Sequence, residues 1–159
     1  ALPDLRAALR AVGDQLGRSE QATAAIGKLD AAIEHAAAQR PAQHPRVLAV
    51  IDREAGGLGN LVAVGPGSWV DELLAVAGAD NVLVASGIRY PRVSLEEVLR
   101  GQPDVILDLS QAGSDLAPWS QVDVPAVRDH RVKALPMFVS RPTVRLDEAL
   151  GLLEAALAR

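Results

Sequence analysis

The chain has 159 residues, which is enough for one domain with a hydrophobic core. Its formal net charge is −4, and this argues against a nucleic-acid-binding protein, which needs a basic face. The sequence contains no cysteine, so disulfides, thiolate metal sites and cysteine nucleophiles are excluded. No apolar run has the length of a membrane span, and no signal peptide is recognised. Because the chain starts at Ala1 rather than at methionine, we expect its N-terminus to have been trimmed.

The first 40 residues predict two helices. Leucine or valine recurs at spacings of 4, 3 and 4 residues from Leu5 to Leu16, which marks one apolar face, and Gly17 suits the end of that helix. A second, alanine-rich helix is predicted from Ser19 to about Gln39, before two prolines. Its length and low hydrophobicity are typical of a helix that braces or spans other parts of a protein.

From residue 46 onward, predicted strands alternate with predicted helices. Ser68 caps the first of these helices, and Ser94 begins the next in a capping box with Glu97. Leucines spaced by 4, 3 and 4 residues predict a last amphipathic helix, and residues 117–130 are expected to be irregular or weakly helical. The alternation predicts an α/β fold with a mostly parallel sheet flanked by helices. The predicted strands are 46–52, 61–65, 81–84, 104–109 and 131–139.

No set of reactive residues forms a convincing catalytic or metal site. The three histidines do not cluster with carboxylates at metal-ligand spacing, so they are expected on the surface. The glycine-rich loop 53–60 lacks the phosphate-binding pattern and is interpreted as a turn between strands. Asp104 and Asp108 flank one strand, but no third partner is apparent. The sequence therefore predicts no catalytic residue and no metal site. The histidines are His35, His44 and His130.

The few aromatic residues include one in an unusual position. Tyr90 lies between Gly87 and Pro91, on the connection that follows the third predicted strand. Ligands of open α/β sheets bind at loops beyond the carboxyl ends of strands, and an aromatic ring there offers a large rigid face. A partly buried loop anchor is an equally good interpretation. Trp69 is expected to pack at the base of its helix, and Trp119 over the sheet.

Several motifs appear in an order that resembles a known family. Residues 64–107 contain a helix ending in Ala-Gly, an aromatic-Pro-x-Val-Ser-x-Glu element and the strand PDVIL. The segments PAVRDHRV (125–132) and SRPTVRLDEAL (140–150) follow. This succession resembles the C-terminal lobe of class III periplasmic substrate-binding proteins, which serve ABC importers of cobalamin, haem and iron-siderophores. The resemblance is strongest to the cobalamin-binding branch.

This resemblance implies a division of the chain. Proteins of this kind have two α/β lobes bridged by one rigid helix, with the ligand between the lobes. Residues 1–18 would then be the end of the N-terminal lobe, 19–44 the long linking helix and 45–159 the C-terminal substrate-binding lobe. The rest of the N-terminal lobe, which supplies half of the ligand contacts in the family, would be missing.

The resemblance also implies residues that contact the ligand. Tyr90 falls where cobalamin-binding members place an aromatic side chain against the ligand. The loop after the first strand should face the same cleft, where Arg53 and Asn60 would hydrogen-bond polar edges of the ligand. Ser140 and Arg141 fall at another position that lines the cleft.

Glu96 aligns with the acidic residue that docks on an arginine pocket of the membrane permease. If Ser94 is the N-cap, Glu96 lies in the first helical turn, where the helix dipole favours a carboxylate. It would then present its charge to arginines. The alternative is an ordinary acidic residue at a helix start.

We therefore expect a non-enzymatic, periplasmic or extracellular component of an ABC importer. It would capture cobalamin or a related corrinoid as cargo, use no cofactor, and deliver the ligand to a permease dimer; lipoprotein anchoring is left open. A first alternative keeps this class with haem or a ferric siderophore, bound through Tyr90 and arginines. A second is a small α/β enzyme or receiver-like signalling domain with a site around Asp52 and Asp108. The candidate arginines are Arg53, Arg89, Arg92 and Arg141.

Overall fold

Two N-terminal helices precede the sheet in a computed structural model, which describes residues 2–158. Helix α1 (Leu2–Gln15) and helix α2 (Ser19–Ala38) pack against each other across a tight turn at Gly17, whose φ is +65°. At Gly13 a Cβ atom would lie 2.4 Å from the Cβ of Ala22, so a glycine allows this close approach. Residue 1, the first of the predicted segment 1–18, and residue 159, the last of the predicted segment 45–159, lie outside the described range.

Helix α2 is shorter than the predicted linking segment 19–44. It ends at Ala38, and residues 39–45 form a non-helical connection. One face of α2 is buried through Ile26, Leu29 and Ala36, and the helix packs against the last helix of the chain. It therefore braces the α/β fold along its length.

The sheet has five strands, which are β1 (Arg46–Asp52), β2 (Val62–Ala63), β3 (Asp80–Asn81), β4 (Val105–Asp108) and β5 (Val132–Ala134). Four of them lie in the order β2-β1-β4-β5, and β3 pairs with β1 on the same side as β2. The pairs β1–β3, β1–β4 and β4–β5 are parallel, and β1–β2 is antiparallel. This mostly parallel arrangement confirms the predicted fold class.

The predicted strands 81–84 and 131–139 differ most from the structure, because pairing in both ends early. In the predicted strand 81–84, the side-chain oxygen of Asn81 accepts a hydrogen bond from the Leu83 N–H at 3.0 Å, and a 3₁₀ turn follows. In the predicted strand 131–139, pairing stops at Ala134, two residues before Pro136. Proline has no N–H to donate to a strand ladder, and the chain turns into a 3₁₀ helix instead.

The caps predicted from sequence are confirmed. The Ser68 hydroxyl accepts from the Asp71 N–H at 3.3 Å, and Ser94 and Glu97 form a reciprocal capping box. The helices after the first strand are α3 (Trp69–Val76), α4 (Leu95–Gly101), α5 (Pro125–Arg128) and α6 (Leu146–Leu157). Short 3₁₀ helices occupy Val84–Ser86, Gln111–Ser114, Ala117–Gln121 and Met137–Ser140.

The core has two parts, one on each face of the sheet. Successive residues of a strand point to opposite faces, so Val47 and Ala49 join the part built by α2, α3 and α6. Leu48 and Val50 join the other part, with α4, α5 and Trp119. Both faces are thus covered, as is typical of parallel sheets. None of the helices described is long and apolar enough to cross a membrane.

Candidate ligand-binding site at the carboxyl edge of the sheet

The strands β1, β4 and β5 run in parallel, so the loops that follow them meet at one edge of the sheet. These loops are residues 53–61, 109–124 and 135–145. The predicted ligand contacts Asn60, Ser140 and Arg141 lie in them. The fold therefore brings residues that are 80 positions apart to the same edge of the molecule.

An open depression of about 620 Å³ lies between the first two of these loops and the start of α4. The sequence patterns did not indicate one of its walls, the segment 115–122, of which residues 117–122 were predicted only as irregular or weakly helical. No local signal marks that wall, because its place depends on the position of β4 in the sheet. The depression is lined by Gly56, Gly57, Leu58, Leu95, Asp115, Ala117, Pro118, Ser120, Gln121 and Val122.

A larger depression of about 1160 Å³ lies at the opposite, amino edge of the sheet. Its walls include His44, His130 and Lys133, and both histidines are exposed, as predicted. Among residues 2–158, no group of three or more histidine or acidic side chains is placed to hold a metal ion. Neither depression is lined by a side chain that was predicted to contact a ligand.

Tyr90 lies on a ribbon beside β2, at the outer margin of the sheet. Residues 88–93 run antiparallel to 61–65, with backbone hydrogen bonds from Gly65 N to Arg89 O at 2.8 Å and from Ala63 N to Pro91 O at 3.0 Å. A Cβ atom at Gly65 would lie 1.8 Å from the Ile88 carbonyl oxygen, so this pairing requires glycine. The Tyr90 side chain is 44% exposed and is not part of the wall of the depression.

Large apolar side chains are exposed along residues 84–99, which we call the apolar segment. Their exposed fractions range from 40% to 65%. One of them, Leu95, also lines the depression, so the apolar segment reaches the wall of the depression. Such a surface is typical of a contact region for a ligand or a protein. The exposed side chains are Val84, Ile88, Tyr90, Leu95 and Leu99.

Arg53 does not have the position that the sequence predicted for it. Its side chain is fully buried, and its Nε donates to Asp108 Oδ2 at 2.6 Å. The other four N–H groups are directed at the carbonyl oxygens of Glu54, Gly57, Ala112 and Asp115. Because all five guanidinium donors have protein acceptors, none is left for a ligand in this structure.

The acidic site considered for an enzyme or a receiver domain does not form either. Asp108 is buried, and its carboxylate accepts hydrogen bonds from Arg53, Ser110 and Trp119. Asp52 is exposed at the end of β1, and Asp104 lies at the opposite end of β4. The carboxylates therefore do not converge on one pocket.

The other predicted contacts lie at the surface or close to it. Asn60 is exposed and has a left-handed backbone with φ of +52°, which asparagine tolerates well. The Ser140 hydroxyl donates to the Met137 carbonyl oxygen at 2.7 Å. Arg141 is exposed, and its Nη2 lies 3.4 Å from the Met137 sulfur. Asn60 and Arg141 thus leave polar groups accessible to a ligand.

Two adjacent glutamates begin α4 and differ in their surroundings. Glu97 closes the capping box, and hydrogen bonds from the Ser94 backbone and side chain lower the pKa of its carboxyl. Glu96 is exposed, and among residues 2–158 it has no hydrogen-bond or ion-pair partner. Of the two carboxylates, the one on Glu96 is therefore free to meet a partner.

Known proteins are similar to this chain in sequence and in fold. Residues 4–138 match the periplasmic binding protein family. The vitamin B12-binding protein of Vibrio parahaemolyticus is 32% identical over 93 residues, covering 57% of this chain and 34% of that protein. The chain thus spans about a third of the length of this curated relative.

Two solved structures superpose on nearly the whole chain. The periplasmic vitamin B12 binding protein BtuF of Vibrio cholerae has a TM-score of 0.81 at 22% identity, over 99% of this chain and 61% of that chain. The periplasmic heme-binding protein RhuT from Roseiflexus sp. RS-1 has a TM-score of 0.80 at 26% identity, over 95% of this chain and 60% of that chain. Since the family match covers most of its residues, the chain belongs to the periplasmic binding protein family, as its motifs predicted.

Proposed function

We propose that this chain is the ligand-binding lobe of a substrate-binding protein that serves an ABC importer, and that the ligand is cobalamin or a related corrinoid. The family and the name of the vitamin B12-binding relative support this proposal. The proteins reported as similar are binding proteins, so the proposed mechanism is capture and delivery. The family name also supports a periplasmic location.

The width of the sheet is the observation that carries the proposal. Four interstrand steps separate the ribbon of Tyr90 from β5, and at about 4.8 Å per step this is roughly 19 Å. Tyr90 lies outside β2 at one margin of the sheet, level with the middle of β1, and Arg141 lies in the loop after β5, the strand at the other margin. Only a large ligand could contact both. A flat macrocycle with polar edges suits an aromatic face, an open depression and separated polar groups.

The proposed division of the chain follows from this function. Residues 45–159 would form the C-terminal lobe, 19–44 the link between lobes and 1–18 the end of the N-terminal lobe. The packing of α2 along α6 supports a rigid link. A first lobe would supply the opposite wall of the cleft, and the stiffness of the link would keep relative motion of the lobes small.

Haem or a ferric siderophore is the second candidate ligand. The Tyr90 hydroxyl is exposed and has no hydrogen-bond partner among the described residues, so it is free to bind iron as a phenolate. The similarity to a heme-binding protein also favours this candidate. Arg53 is no longer a candidate arginine for an anionic siderophore because it is buried. The exposed candidates are Arg89, Arg92 and Arg141.

Replacement of Tyr90 tests the ligand. The full-length protein that contains this chain is titrated separately with cyanocobalamin and haemin while visible spectra are recorded. We expect Tyr90→Ala to raise the Kd for cyanocobalamin about tenfold, or about 1.4 kcal/mol, because the aromatic face is lost. Tyr90→Phe keeps that face and should bind cyanocobalamin nearly as well as the wild type.

The same variants separate the two ligands. If haem is the natural ligand, haemin shifts the Soret band of the wild type, Tyr90→Phe abolishes the shift, and cyanocobalamin does not bind. That result would reject the corrinoid proposal. Lys133→Ala is the control, because Lys133 is exposed at the amino edge of the sheet, opposite the carboxyl edge.

Docking to a permease is proposed for Glu96. We expect Glu96→Ala to slow association with the cognate ABC permease in nanodiscs several-fold, and to weaken the salt dependence of that rate, because an exposed interface charge mainly sets the on-rate. The affinity for ligand should not change. Glu97→Gln is the matched control, since its side chain is engaged in the capping box. Equal association rates for Glu96→Ala and the wild type would contradict the docking role.

A further inference from the structure

A buried ion pair links the loops that form the depression. Arg53 follows β1 and Asp108 ends β4, and both side chains have no exposed surface. The two residues are 55 positions apart in sequence, and parallel pairing of their strands brings them together. Neither residue lines the depression. The pair therefore lies beneath the site.

Arg53 joins two loops through its remaining donors. Nη1 donates to Gly57 O at 3.0 Å, within the loop after β1. Nη2 donates to Ala112 O at 2.7 Å and to Asp115 O at 2.5 Å, within the loop after β4. Gly57 and Asp115 both line the depression. One planar guanidinium thus fixes the distance between opposite walls, because its donors have a rigid geometry.

Asp108 holds further residues of the loop after β4. Its Oδ2 accepts from the indole N–H of Trp119 at 3.0 Å, and its Oδ1 accepts from the Ser110 hydroxyl at 2.6 Å. Gly113 packs on it so closely that a Cβ atom there would lie 3.1 Å from Oδ1. Trp119 is buried, and its neighbours in sequence, Pro118 and Ser120, line the depression. The carboxylate therefore fixes residues 110–120 against the end of the sheet.

We propose that Arg53 and Asp108 are positioning residues that set the affinity for the ligand by fixing both walls of the depression, without touching the ligand. This inference rests on the proposed function. A buried ion pair is poor evidence for added stability, because replacing the pair with apolar residues of similar volume is often neutral or stabilises the folded state. Its many bonds to loop carbonyls instead indicate preorganisation of a binding surface.

The test compares loop motion and affinity in the full-length protein. Arg53→Lys keeps the charge but loses the planar fork, so one ammonium cannot serve both loops. We expect amide hydrogen exchange at 54–58 and 112–121 to rise tenfold or more, and the Kd for cyanocobalamin, or for haemin if the wild type binds that probe, to rise about tenfold. Trp119→Phe is a milder variant that removes one donor, and it should speed exchange in 112–121 alone.

Leu153→Ala is the control, because Leu153 is buried in the core on the other face of the sheet. It should lower stability while leaving loop exchange and affinity unchanged. Faster loop exchange in Arg53→Lys with wild-type affinity would overturn the inference, and so would an equal loss of affinity in Leu153→Ala. If the wild type binds neither probe, the proposed function is overturned, and so is the claim about affinity. Amide exchange of the loops in Arg53→Lys would still test whether the ion pair links the two walls of the depression.

Discussion

Asp108→Ala is expected to lower the free energy of unfolding by about 3–5 kcal/mol. The substitution leaves the guanidinium of Arg53 buried without a counter-charge, and it removes the acceptor of the Trp119 indole N–H. The desolvation cost of both groups then acts against the folded state. Urea denaturation followed by circular dichroism measures the loss as a lower midpoint with an unchanged slope.

Asp52→Ala is the matched control for this prediction. Asp52 is an exposed aspartate at the end of the neighbouring strand β1, so its removal should change stability by less than about 0.5 kcal/mol. A loss below about 1 kcal/mol in Asp108→Ala would contradict the buried pair, because an exposed aspartate would behave in that way.

Trp69→Ala is expected to cost about 3–5 kcal/mol of stability. Trp69 is 2% exposed at the start of α3, where its indole N–H donates to the Val139 carbonyl oxygen at 3.1 Å. Alanine leaves a large cavity between α3 and the loop after β5, together with a buried carbonyl that has lost its donor. Thermal and urea unfolding of the purified protein measure the loss.

Trp69→Phe separates the two contributions. It keeps most of the buried ring and loses the hydrogen bond, so we expect a cost of about 1–2 kcal/mol. Val84→Ala serves as the control at a position that is 65% exposed, with a change below about 0.5 kcal/mol. Equal costs for Trp69→Ala and Val84→Ala would show that Trp69 is not a core residue.

Much of the fold could be predicted because its signals are local. Ser94 and Glu97 are three residues apart, and their reciprocal hydrogen bonds form within a single helical turn. The four leucines predicted to face the core in the last helix are all buried. The alternation of strands and helices fixed the α/β class for the same reason, since each element is specified by residues close together in sequence.

The ends of the strands were less predictable. The apolar run 131–139 has strand-like composition throughout, yet β5 stops at Ala134. The stop comes from Pro136 and from the absence of a long partner, because β4 itself ends at Asp108. A strand is as long as its pairing, and pairing involves residues far apart in sequence.

The sequence by itself determined the family, the main helices and strands, and the carboxyl-edge loops that contain most of the predicted ligand contacts. Only the tertiary structure decided that Arg53 is buried beneath that edge, and that residues 115–122 form a wall of the depression. An arginine after a strand is normally exposed, and here it is buried because Asp108 and the carbonyls of a distant loop supply all of its acceptors. Periodicity and capping report on neighbours within a few residues, whereas burial of a charge depends on partners that only folding brings together.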